Sequence, residues 1–385
     1  MVLSVGVFAD VWWACTGFSV VSNHIAYELS KHSDMRVIYF GRFGRKEEFD
    51  RETSLSDRPY ETVRCQGGVW DRELVVRIIK HYGLDFVFSE DDWFSAGGLC
   101  EATRFWKKPF YFLTPIDSLP IHPQTYEVFK YCKRVYTPNR SNEIINSHVE
   151  ELKTRKRHDI FKAKIKAEYL PHAVDSSTFR PLSNRKEDKF TFVWIGRDDK
   201  RKALGRMILA YEKLLNKYDC NLLIRTDWNT PNARLTNAYL TKKNIPVIKE
   251  QLSNCPHGML RETYNRGHML VITSKAGGFE MQSIEAMACG LPVLVTDWNF
   301  MNETVINGRN GFKIPCSGFE TASFGRVWGQ IDVDRLSAVM EWCINNGSLV
   351  EHMGRWARNW VVENYRWSDV GRKLYKSIMT SVDET

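Results

Sequence analysis

The chain has 385 residues, 43% of them hydrophobic and 13% aromatic, with a formal net charge of +8. The apolar content excludes a disordered chain, the length points to two globular domains, and no apolar run is long enough to cross a bilayer. Nine cysteines without paired metal-ligand spacing read as free thiols of a reducing, cytoplasmic compartment, and the basic balance asks for an anionic partner.

In chain order, the first apolar run, Leu3–Ala9, lacks the basic residues that precede a signal-peptide core and is expected to be a strand. Further strands are expected at Met35–Phe40, Asp85–Ser89, Pro109–Leu113 and Arg134–Thr137. Helical patterns such as GFSVVSNHIAYELSKH separate them. The basic run from Lys153 to Lys166 reads as a solvated helix; the functional alternative is contact with an anionic membrane surface or nucleic acid. The segment EYLPHAVDSSTFRPLSNRKEDKF, rich in Pro, Ser and charge, marks a domain boundary. Beyond it, KFTFVWIG, CNLLIRT, HMLVITS and LPVLVTDW read as strands. KALGRMILAYEKLLNKY, MLRETYNRG and MQSIEAMACG read as the helices among them, and the tail ends in one or two more helices. Continuous apolar strands alternating with helices predict an α/β protein with two parallel sheets, each covered on both faces.

In such sheets ligands sit beyond the carboxyl ends of the strands, which directs attention to three corners: Asp10–Gly17, Gly196–Lys202 and Ser274–Met281. Arg197 and Lys202 stand between a strand and a helix start. Together they suit an anion such as a diphosphate, the alternative being a solvated basic turn. Gly277 and Gly278 allow a ligand close to the backbone and tolerate positive φ, and the N–H groups of Phe279, Glu280 and Met281 open the next helix. Glu280 is either a cap of that helix or a ligand contact. Glu285 lies among apolar neighbours, where a carboxylate is costly unless paired. In the first half, Asp117 closes a strand and could orient a substrate or merely shape a turn. Glu90, Asp91 and Asp92 form an acidic strand end that is not diagnostic of a metal. Trp12 and Trp13 suit stacking or core packing.

Arg197-x4-Lys202, then GFEMQSIEAMACGLPVLVTD and NETVINGRNGFKI, resembles the donor half of retaining glycosyltransferases of family 4. YLPHAVDSSTFRPL resembles that family's interdomain segment, and YRWSDVGRKLYKSI its closing helix. The match runs from about Tyr169 to Met379; the first half agrees in layout, with a Gly17 corner after the first strand. The resemblance implies the GT-B fold: two Rossmann-like parallel-sheet domains facing a cleft. Residues 1–170 would bind the acceptor and 171–355 the nucleotide-sugar, while 356–385 would pack back on the first domain. It implies transfer of a hexose from a UDP- or GDP-sugar to an acceptor hydroxyl with retention, without metal or other cofactor. The acceptor would be a glycan, a lipid-linked glycan or a modified base, and the enzyme cytoplasmic, peripheral to a membrane in the lipid case. The implied donor-binding set is Gly17, Arg197, Lys202, Gly277, Gly278, Phe279, Glu280, Met281 and Glu285. The implied catalytic set is Arg197, Lys202, Glu280 and Asp117.

Two departures from the family pattern stand out. The first Glu of its Glu-x7-Glu motif falls at Gly277, so Glu280 is expected to supply the missing carboxylate. His172–Ala173 stands where Asn–Gly is usual, and His172 is either a site residue or a structural one. Two other readings follow: an isomerase of the nucleotide-sugar 2-epimerase kind, and a non-catalytic nucleotide-sugar-binding protein.

Overall fold

The computed structural model describes residues 2–14, 16–42, 58–65, 68–154, 165–183, 186–252 and 257–383. The backbone divides into two units. The first comprises Met1–Ile116, Ile121–Ala173 and Trp367–Thr385; the second comprises Asp117–Pro120 and Val174–Arg366.

In the first unit, β1 (Leu3–Asp10), β2 (Met35–Arg42), β3 (Glu61–Arg64), β4 (Phe86–Glu90), β5 (Phe110–Leu113), β6 (Arg134–Thr137) and β7 (Ala167–Tyr169) form one sheet. Its order is β3-β2-β1-β4-β5-β6-β7, and every pairing is parallel. Val5 pairs with Val37 on one side and Phe86 on the other. The central strands are apolar on both faces because helices cover both: Val5, Val7, Phe8, Val87 and Phe88 are all buried. The helices are α1 (Gly17–Ser30), α2 (Arg72–Tyr82), α3 (Gly97–Phe105), α4 (Pro123–Phe129) and α5 (Ser141–Thr154). Thr16 caps α1 by accepting from the Ser19 N–H, and Asp71 caps α2 by accepting from the Leu74 N–H. The closing helix Trp367–Asp383 belongs to this unit: Tyr375 donates to Asp34, Tyr136 donates to Ser377, and Trp367 stacks on His24.

The second unit repeats the plan with β8 (Thr191–Ile195), β9 (Asn221–Thr226), β10 (Ile248–Gln251), β11 (Met269–Ile272), β12 (Val293–Thr296) and β13 (Gly311–Ile314). Their order is β10-β9-β8-β11-β12-β13, again all parallel. Its helices are α6 (Leu204–Glu212), α7 (Pro231–Lys242), α8 (His257–Arg266), α9 (Met281–Ala288), α10 (Val333–Asn345) and α11 (Gly347–Asn364). Phe192, Trp194, Met207, Tyr211, Leu222, Val271 and Leu336 share its core. A hairpin, β14 (Cys316–Thr321) and β15 (Val327–Ile331), was not foreseen from the sequence; its exposure alternates along β14, so it carries no apolar run.

The units change over at 173/174 and 366/367. Helix α11 stays in the second unit because Gly354 lets it meet the turn at Gly290, where a Cβ would come within 2.1 Å of the Gly290 carbonyl. Of the basic run Lys153 to Lys166, residues 155–164 lie outside the described residues; Ile165 is buried and Lys166 exposed. Among the described residues no helix is long and apolar enough to cross a membrane.

In each sheet the strand order reverses once, between β1 and β4 and between β8 and β11. The first reversal brings together the ends Asp10 and Glu90. The second brings together the turns that follow Ile195 and Ile272.

Candidate active site

Beyond β8 and β11 the two turns are joined residue by residue. Lys202 donates its N–H to Asp199 Oδ1 at 2.8 Å, and its carbonyl accepts from the Thr273 hydroxyl at 2.9 Å. Thr273 in turn accepts from Trp194 Nε1 at 3.0 Å, which ties the corner to the core. Lys275 N–H donates to the Arg201 carbonyl, and Arg201 Nη1 donates to the Ala276 carbonyl, each at 2.8 Å. Ala203 closes the first turn in the left-handed region at φ 53 before α6 begins.

This frame carries one ion pair at its centre. Lys202 Nζ donates to both carboxylate oxygens of Glu280, at 3.0 and 2.8 Å. The side chains are 15% and 4% exposed. Burial pushes the Glu280 carboxyl up, but the charges of Lys202 and Arg201 outweigh it and hold the group below the usual carboxylate range. Burial pulls the Lys202 ammonium down, opposed by Glu280. Glu280 occupies the N-cap position of α9, yet its side chain makes no capping bond. Capping is therefore not its task.

Neither glycine takes a positive φ, and Gly277 acts through the space it leaves. A Cβ at Gly277 would lie 2.6 Å from Glu280 Oε1. The Glu280 carboxylate thus fills the place that a side chain at 277 would enter. The Gly277 N–H is already engaged by the Asp117 carbonyl at 3.2 Å. Gly278 is buried, while Phe279 and Met281 are half-buried at the helix start, with the Phe279 ring 6.1 Å from that of Tyr365.

Glu285 lies on α9 behind this corner and accepts from the Tyr264 hydroxyl at 2.8 Å. Burial raises its carboxyl to about 7, against the pull of that hydrogen bond. Arg197, at the end of β8, is exposed and holds no ion pair with the described residues. Asp117 clusters with the second unit, where Arg326 binds both its oxygens at 2.9 and 3.1 Å. Arg326 belongs to the turn of the hairpin, and the rest of that hairpin fastens to the same corner. Gly329 N–H donates to the Lys275 carbonyl at 3.0 Å, and Lys275 Nζ donates to Glu320 at 2.9 Å. Sequence reasoning missed Lys275, Glu320 and Arg326; only their charges signalled them.

The other residues expected from the first half belong to the first unit. Gly17 opens α1 at an exposed position with nothing within 4 Å of a Cβ built there. Trp12 is buried, edge-on to Trp13 and Tyr39, so it packs the core. At the reversal of the first sheet, Arg42 lies 3.3 Å from Asp10 and 2.6 Å from Asp91, all three buried. Burial raises the Asp91 carboxyl to about 6, opposed by Arg42. Glu90 Oε1 lies 2.7 Å from His172 Nε2. Burial, with Asp91 and Asp10 nearby, pushes Glu90 well up, and burial lowers His172 to about 3. Burial thus disfavours the charged form of both partners. His172 is therefore packed into its unit as a buried partner of Glu90. Among the described residues no three His, Cys, Asp or Glu side chains gather to hold a metal.

Residues 175–323 match the family model described as Glycosyl transferases group 1. That stretch makes up the greater part of the second unit, which is thus similar to this family's domain. The chain is similar to the capsular polysaccharide biosynthesis glycosyltransferase CapM of Staphylococcus aureus, at 25% identity over 202 residues, 51% of this chain and 48% of that one. It is also similar to the MMP alpha-(1->4)-mannosyltransferase of Mycolicibacterium hassiacum, at 24% identity over 201 residues, 52% of this chain and 45% of that one. The chain thus spans less than half of the length of these curated relatives. Among solved structures, sucrose-phosphate synthase of Thermosynechococcus elongatus superposes with a TM-score of 0.75 at 15% identity, over 100% of both chains. Anabaena Alr3699/HepE in complex with UDP and glucose superposes with a TM-score of 0.74 at 11% identity, over 98% of this chain and 100% of that one. The fold is GT-B, with two Rossmann-like units, as expected from the sequence.

Proposed function

We propose that the protein is a retaining glycosyltransferase that moves a hexose from a nucleotide-diphosphate sugar to an acceptor hydroxyl. The observation that carries this reading is the corner where Lys202 meets Glu280 at the start of α9, with Arg197 exposed on the same turn as Lys202, inside the stretch matched by the family model. A diphosphate suits the two cations and the helix start; the Alr3699/HepE complex with UDP is a precedent on the same fold. As the glycosidic bond breaks, negative charge builds on the departing phosphate oxygens, and Arg197 and Lys202 stabilise it. Glu285 accepts from the ribose hydroxyls. Glu280 supplies the carboxylate that position 277 lacks and accepts from hydroxyls of the donor sugar. The chemistry is assigned to these side chains without a metal, and the first unit is assigned the acceptor, a glycan or lipid-linked glycan.

The test has two stages. Thermal shift with UDP, GDP and their sugars should show stabilisation by one base series, since a ligand of the folded state alone raises stability by mass action. Proton NMR of the transfer product should then show the anomeric configuration of the donor. No stabilisation by any nucleotide would overturn the reading, and an inverted product would overturn retention. A donor epimerised when incubated alone would favour the isomerase. Binding with neither hydrolysis nor transfer would favour a binding protein.

A further inference from the structure

The Lys202 backbone is held at both ends, by Asp199 and Thr273, and its side chain is mostly buried. Both oxygens of Glu280 are on that ammonium. Glu280 is differently held. Its side chain takes no part in capping α9, and the first turn is closed by Ser283, whose N–H and hydroxyl both donate to the Glu280 carbonyl at 2.9 and 2.7 Å. The carboxylate can therefore change partner without loosening the helix. On its other side stands Gly277, whose missing side chain leaves the carboxylate room.

A diphosphate at this corner is a second anion seeking the same ammonium. A spent nucleoside diphosphate offers Glu280 nothing in exchange, because phosphate oxygens near a carboxylate only accept and repel. An intact nucleotide-sugar offers hydroxyl donors. We propose that Glu280 is an exchange carboxylate: it competes with the diphosphate for Lys202 and is compensated only by sugar hydroxyls, so the site prefers the intact donor to the spent nucleotide. This rests on the donor reading above. After transfer the sugar has left, Glu280 returns to Lys202, and the nucleotide is released faster. The interaction is spent on discriminating donor from product rather than on uniform binding.

The prediction separates this role from simple ligand binding, because the two affinities move in opposite directions. Calorimetry is run with UDP and UDP-glucose, and with GDP and GDP-mannose, on wild type and Glu280→Gln. The variant should bind the diphosphate roughly tenfold tighter and the nucleotide-sugar more weakly, so that their ratio inverts. Gly277→Ala is the second variant. It keeps both charges, but its Cβ would lie 2.6 Å from Oε1 and push the carboxylate off Lys202, so the diphosphate should again bind more tightly. If Glu280→Gln weakens both ligands alike, or leaves their ratio unchanged, the exchange role is wrong while the donor site stands. If the wild type binds neither diphosphate nor sugar nucleotide of either base, the donor reading itself falls, and the exchange role with it.

Discussion

The two sheets reverse strand order in the same way and gather charge at the same topological place, yet what they do with it differs. In the first unit Arg42 is clamped between Asp10 and Asp91, and Glu90 meets His172, all of them buried. These groups are buried and face one another. In the second unit Arg197 is exposed, Arg201 is half-buried, and Lys202 holds a carboxylate that is not needed to cap a helix. The rule that ligands sit beyond the strand ends at a reversal directs attention to both corners, and the proposed donor site uses the second. The difference between the two corners is the exposure of their cations, and the proposed donor reading rests on the exposed one.

The largest effects test that distinction directly. Arg197→Ala should lower turnover by roughly tenfold to a thousandfold, the range for one lost transition-state charge contact, with melting temperature nearly unchanged. Arg42→Met should do the opposite. It strands two buried carboxyls and should cost about 3–5 kcal/mol of stability, the range for breaking a buried pair, while turnover per folded molecule survives. Activity assays beside chemical denaturation decide both. Arg197→Ala at wild-type turnover, or Arg42→Met at wild-type stability, would erase the contrast.

A smaller effect concerns pH. Burial raises the Glu285 carboxyl to about 7, so its ionised share grows from pH 6 to pH 8. A carboxylate accepts from ribose hydroxyls more strongly than a carboxylic acid does. Nucleoside diphosphate affinity should therefore rise roughly tenfold from pH 6 to pH 8, beyond the share due to titration of the phosphate itself. Glu285→Gln isolates that share, because it keeps the phosphate and loses the carboxyl. Identical pH profiles for wild type and variant would remove Glu285 from the nucleotide site.

The same contrast explains what the sequence disclosed. The central strands read clearly, because burial on both faces leaves continuous apolar runs such as Thr191–Ile195. The four strands missed in the two parallel sheets, β3, β7, β10 and β13, all lie at sheet edges, where one side has no neighbour and short mixed segments such as Ile248–Gln251 suffice. The corners were expected from strand-to-helix placement, Arg197, Lys202 and Glu285 from the family pattern, and Glu280 from its departure from that pattern at Gly277. The Lys202–Glu280 bond was not, since the partners stand 78 residues apart and no local pattern couples them. Nor was the burial of His172 against Glu90. A histidine in a Pro- and Ser-rich segment looks exposed until the segment is seen packed on β4. Glu280 kept two readings, cap or ligand contact, because both place a carboxylate at a helix start; only the direction of its side chain decides.

The smallest expected effect lies in that Glu90–His172 contact, and its sign follows from the two shifts. Glu90 is raised in the folded state, so the folded protein keeps a proton that the unfolded chain releases above its ordinary value. Its contribution to stability is present at low pH and is lost as pH rises through and beyond that value. His172 is lowered to about 3, so the unfolded chain binds a proton below about 6.5 that the folded state refuses. Its contribution is present at neutral pH and is lost as pH falls. Between those limits the two slopes oppose, and the wild-type profile should be shallow. Glu90→Gln removes one of them. The amide can still donate to His172 Nε2, so the loss at pH 5 should be near 1 kcal/mol, the net worth of an ordinary hydrogen bond. From pH 5 to pH 8 the variant should gain stability relative to wild type, because it no longer carries a carboxyl that resists ionisation. Urea denaturation at several pH values measures this. A Glu90→Gln profile parallel to that of the wild type would mean that Glu90 is ionised beside a charged His172. The first unit would then hold a live ion pair at its reversal, and the contrast with the second would weaken.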